Sequence, residues 1–126
     1  MPLPTFLLIA AIIEAFFGVG FLLAPNLTLA PLGVSLDPAG LMMTRIFGAA
    51  LISLALLFWW VRDAAPSAAL TAIFRAAMVY FAVSAIPLVL GVLGGLANSL
   101  AWGTFAIHVF LAAGFWHFGF RKSFIS

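Results

Sequence analysis

No cysteine occurs in the 126-residue chain, which excludes disulfide frameworks, thiolate metal sites and thiol redox chemistry. Charge is nearly as scarce. Only 6% of residues are charged, against about a quarter in soluble domains, so the chain has too little polar material to cover itself in water. The five Lys and Arg and three acidic residues are scattered singly, which argues against the basic cluster that nucleic acid or anionic headgroups would require. No nucleic-acid partner is expected. A phosphate loop, a carboxylate pair and a nucleophile beside a base are also missing, so neither an enzyme nor a cofactor is expected. The two histidines, His108 and His117, are nine residues apart, about 13 Å along one helix. With no other ligand cluster, they do not suggest a metal site.

What the chain has instead is apolar length. Hydrophobic residues make up 67% of it, in four runs that each reach the roughly 20 residues needed to cross about 30 Å of hydrocarbon, the third exceeding it. These predict helices over about 3–24, 38–61, 67–94 and 99–119 in a single transmembrane domain spanning 1–126. The expected class is all-α, an integral membrane four-helix up-down bundle. The first run lacks a preceding Lys or Arg and is too long for a signal-peptide core, so it reads as a retained helix closed by Pro25 and Asn26.

The connection from Pro25 to Asp37 is rich in leucine and broken by Pro31 and Gly33. It reads either as a loop on the membrane surface or as a lid folded over the bundle mouth. Asp37-Pro38 has the form of an N-cap followed by proline at the first helical position. At the far end of that helix Trp59 and Trp60 mark an interface, with Arg62 and Asp63 just beyond it. Pro66 suits the first position of the third helix, in which Ala68, Ala72 and Ala76 form a small-residue face and Pro87 is a plausible kink. Gly91 and Gly95 have helix-contact spacing, yet Gly94-Gly95 also reads as a C-cap. Asn98 or Ser99 can cap the fourth helix, which is flanked by Trp102 and Trp116 and followed by Arg121 and Lys122. By the positive-inside rule, both termini and the Arg62 turn are expected in the cytoplasm.

Ionisable groups inside such runs are expensive and tend to mark function. Glu14 is the deepest, about 15 Å from either end of the first helix, and His108 is about 13 to 14 Å into the fourth. The two are therefore expected at one level, where neighbouring helices would let them meet. Arg45, about 10 Å into the second helix, either snorkels outward or bends inward to join them. Arg75 counts out near the inner surface. Ala10, Ala11 and Gly18 share the face of Glu14, and such small-residue faces pack on protein. The candidate polar cluster or ligand and proton site is Glu14, His108 and Arg45; it either fixes helix register or binds a ligand or proton.

Several of these features resemble the DoxX-like group of small bacterial four-helix inner-membrane proteins. They are Gly20 and Pro25 closing the first helix, Arg45-Ile46-Phe47-Gly48 near the start of the second, and Asn98, Trp102 and His108 in the fourth. That resemblance implies an uncharacterised multi-pass protein of the bacterial inner membrane. Its expected role is a non-enzymatic accessory or lipophilic-ligand-binding bundle with a buried polar cluster. Its partners would be the lipid bilayer and either another membrane protein or further copies of itself, a homo-oligomer. The chain is also similar to small multidrug-resistance-type transporters in size, helix number and the carboxylate in Ala11-Ile12-Ile13-Glu14, which implies proton-coupled transport through Glu14. The long first loop and Arg45 depart from that pattern.

Overall fold

The computed structural model describes residues 1–121. Its elements in chain order are α1 (Leu3–Leu23), α2 (Pro25–Leu29), a 3-10 turn (Ala30–Leu32), α3 (Pro38–Val61), α4 (Ala68–Leu93) and α5 (Ala101–Gly119). Lys122 of the expected basic tail lies outside the described residues. Two compact units divide the chain, Met1–Asp63 and Ala64–Ser126.

Three helices, α1, α3 and α4, are long and apolar enough to cross a membrane. The expected fourth crossing, α5, is not among them. Its 19 residues reach about 28 Å, but His108 and His117 dilute its apolar character. Long apolar stripes are exposed on α1 and α4, as contact with lipid favours. Ile12, Phe16, Val19 and Leu23 form an exposed stripe on α1, and Val79, Val83, Ile86, Leu90 and Leu93 form one on α4.

In the first unit α1 and α3 pack antiparallel. Leu7, Ala11, Glu14 and Gly18 recur at intervals of four, three and four residues and are all buried, which is the stripe a helix presents to a neighbour. At the crossing the backbones meet. A Cβ built on Gly18 would lie 2.9 Å from Ile52 N, and one built on Gly48 would lie 2.6 Å from Leu22 N. Neither position has space for a side chain.

The leucine-rich connection is not a loop throughout. Pro25 starts α2, whose Thr28 hydroxyl donates to Ala24 O at 2.8 Å and packs on Gly20, where a Cβ would come within 2.6 Å of Thr28 Oγ1. Gly33, at φ 72°, then ends the 3-10 turn in the left-handed region that glycine tolerates best. Asp37 caps α3 as expected, its carboxylate accepting from Gly40 N–H at 2.6 Å with Pro38 at the first helical position.

In the second unit α4 and α5 pack antiparallel through Leu70, Phe74, Ala77, Phe81 and Ala85 on α4 and Leu111, Phe115 and Phe118 on α5, all buried. The alanine face expected to make close contacts is elsewhere: Ala68, Ala72 and Ala76 are exposed. Interlocking rings give this helix pair more van der Waals contact than alanines would.

The start of α4 also shifts from expectation. Ser67 is the N-cap, its hydroxyl accepting from Leu70 N–H at 3.1 Å, so Pro66 precedes the helix rather than opening it. Pro87 sits inside a continuous α4, where its missing N–H leaves the Val83 carbonyl without the usual helical partner. At the C-terminus Leu96 N–H donates to Gly91 O at 2.8 Å and Gly95 N–H to Val92 O at 3.2 Å. With Gly95 at φ 75°, these bonds form a Schellman motif. Of the two readings of this glycine cluster, the cap is realised. A side chain at Gly91 or Gly95 would meet nothing within 4 Å, so neither makes a close helix contact.

Candidate functional site

Glu14 occupies the middle of α1, one turn before the Gly18–Gly48 crossing. It is 4% exposed, and its Oε2 is buried with no hydrogen-bond partner among the described residues. Leaving a buried polar atom unmatched costs about 1 to 3 kcal/mol, more for a charged group. The small neighbours Ala10, Ala11 and Gly18 are buried with Glu14 on α1. They do not account for its retention, since an apolar side chain would avoid the cost.

Arg45 belongs to the same unit and is exposed on α3. No ion pair among the described residues involves Glu14 or Arg45. Of the two readings of Arg45, outward snorkelling or an inward bend toward Glu14, no contact with the carboxylate is seen within the first unit.

His108, in the second unit, is half-buried. Its Nδ1 lies 2.9 Å from Thr104 O. A carbonyl only accepts, so Nδ1 donates in that contact. The imidazole meets Phe81 edge-on at 5.7 Å between centroids, and Phe81 stacks on Phe115 at 5.7 Å and 6°. Phe74 meets Phe115 in turn at 5.9 Å. This aromatic setting of His108 differs from the polar one expected for it. Its signal was present in the heptad spacing of Phe74 with Phe81 and of His108 with Phe115.

Arg75 lies where α5 ends. Its Nε–H donates to Gly119 O at 3.1 Å, and its guanidinium carbon sits 4.5 Å over the Phe120 ring. This arginine closes the last turn of α5.

A separate feature of the first unit is a groove of about 240 Å³ along α1 and α3. Leu8, Ala11, Ala15, Ile52, Ala55 and Trp59 are among its lining residues, all of them apolar. Glu14 does not line it. At about 100° per residue, Glu14 lies about 60° around α1 from Ala11 and about 100° from Ala15. Among the described residues no three His, Asp or Glu side chains gather where a metal ion would be held.

Comparison with protein-family models, curated proteins and solved structures finds no match to this chain.

Proposed function

We propose that the chain is a non-enzymatic accessory protein of a bacterial inner membrane, a four-helix bundle that binds a lipophilic ligand through Glu14. The carrying observation is the Glu14 carboxylate, buried with Oε2 unmatched. A group that is costly to bury and receives no compensation from its own unit is most simply explained by a donor brought by something else. A ligand suited to it is mostly apolar, as the surrounding small and apolar residues require, and carries one hydrogen-bond donor. The DoxX-like pattern at Gly20, Pro25, Arg45 to Gly48, Asn98, Trp102 and His108 supports the accessory role. The antiparallel pairing of α1 with α3 supports the N-terminus and Arg62 sharing one side, taken as cytoplasmic by the positive-inside rule.

The test is purification of the tagged protein in mild detergent, followed by solvent extraction and mass spectrometry. The wild type is expected to carry a quinol-like molecule, whose hydroxyl can donate to the carboxylate, or a membrane-protein partner that Glu14→Leu does not. Recovery of neither from the wild type would remove the reading.

A second reading is favoured by the exposure of Arg45 and its lack of an ion pair with Glu14, which weakens the objection that this arginine repels cationic substrates. It is proton-coupled transport through Glu14. Uptake of organic cations into proteoliposomes that does not change between wild type and Glu14→Gln would dispose of it.

A further inference from the structure

The apolar groove of the first unit ends at a charged pair. Between Leu8 and Val19, both lining residues, it follows α1 for eleven residue steps, about 16 Å. It is wide because Ala11, Ala15 and Ala55 stand where larger side chains would fill it. Trp59 closes one end, and the Arg62 guanidinium lies 3.6 Å from the centre of the Trp59 ring.

Arg62 is held in place. Its Nη1 donates to Trp59 O at 2.9 Å, and its Nε meets Asp63 Oδ2 at 3.1 Å. These contacts use Nη1 and Nε and leave the two N–H groups of Nη2 unassigned. Asp63 is the more open partner, with 71% of its side chain exposed against 29% for Arg62. Beyond the apolar channel there is thus a fixed donor and, beside it, an exposed carboxylate.

The geometry points to a phospholipid site. One acyl chain lies in the groove, the phosphate accepts from Arg62 Nη2, and a primary ammonium on the same headgroup donates to Asp63. An anionic headgroup without a cation gains nothing from Asp63 and is repelled by it. A quaternary ammonium has no N–H to donate. The pair therefore favours a phosphoethanolamine headgroup over phosphocholine and phosphoglycerol. Glu14 plays no part, so this site stands independently of the ligand proposed for it.

Native mass spectrometry of the detergent-purified full chain tests the site, with equal amounts of the three lipid classes carrying identical acyl chains. The wild type is expected to retain phosphatidylethanolamine roughly tenfold over the other two, as one charge-assisted hydrogen bond would give. Asp63→Asn should abolish the preference over phosphatidylglycerol, and Arg62→Gln should lower retention of all three. Ala15→Phe, which fills the groove, should do the same while leaving the headgroup order unchanged. Both charged residues lie outside the packed core, so their variants remain informative if Ala15→Phe fails to fold. Equal retention by the wild type, a preference for phosphatidylglycerol, or an ethanolamine preference that survives Asp63→Asn would each overturn the proposal.

Discussion

Gly18 and Gly48 bring two helix backbones into direct contact. A Cβ on Gly48 would lie 2.7 Å from Gly18 O, and one on Gly18 would lie 3.0 Å from Gly48 O. Van der Waals packing between close backbones is a main source of helix association where lipid removes the hydrophobic driving force. Gly48→Ala is therefore expected to destabilise the first unit by about 1 to 3 kcal/mol, the usual cost of overpacking. Gly103 is the control, because a Cβ there meets nothing within 4 Å. Gly103→Ala should leave stability unchanged or raise it by up to about 1 kcal/mol through helix propensity. Denaturant unfolding in detergent micelles distinguishes the two.

Glu14→Leu should make the protein more stable. The substitution removes a carboxylate whose Oε2 has no partner and introduces an apolar side chain on a buried face. A gain of about 1 to 3 kcal/mol is expected from the lost desolvation cost, measured by the same unfolding assay. Ligand retention should fall in the same variant, the opposition expected when a destabilising group is kept for function. A loss of stability would show that the carboxylate is held by interactions the unit does not display.

Arg75→Met should loosen the end of α5. It deletes both the bond to Gly119 O and the contact with Phe120, together worth about 1 to 3 kcal/mol. Amide exchange near Gly119 and Phe120 should accelerate while the middle of α5 stays protected. Arg75→Lys should not restore protection, since an ammonium cannot reproduce the planar donor geometry of the guanidinium.

Gly95→Ala should cost about 1 to 2 kcal/mol, the penalty for placing a Cβ in the left-handed region, although the site has open space around it. The effect should appear in thermal unfolding and in faster exchange of the Leu96 amide, whose bond to Gly91 O depends on that turn. Gly91→Ala, in regular helix with equal space, should have no such penalty.

Local chemistry made much of the chain legible. Leu3 to Leu23, Pro38 to Val61 and Ala68 to Leu93 follow from apolar length. Asp37-Pro38 and Gly94-Gly95 mark ends whose geometry depends only on adjacent residues. The midway position of Glu14 followed from counting along one helix. Tertiary packing decided the rest, because pairing depends on shape in three dimensions and not on spacing alone. It turned Ala68, Ala72 and Ala76 outward and brought Phe74 and Phe81 against α5. It folded Thr28 onto Gly20, converting an expected loop into α2. It left Arg45 exposed and separate from Glu14 within their unit, although charge alone argued for bringing them together. The sequence by itself determined the three long apolar helices and the place of Glu14 in the middle of the first. Only the packed structure decided that its Oε2 goes unmatched, because that depends on which donors the neighbouring backbone and side chains bring within reach.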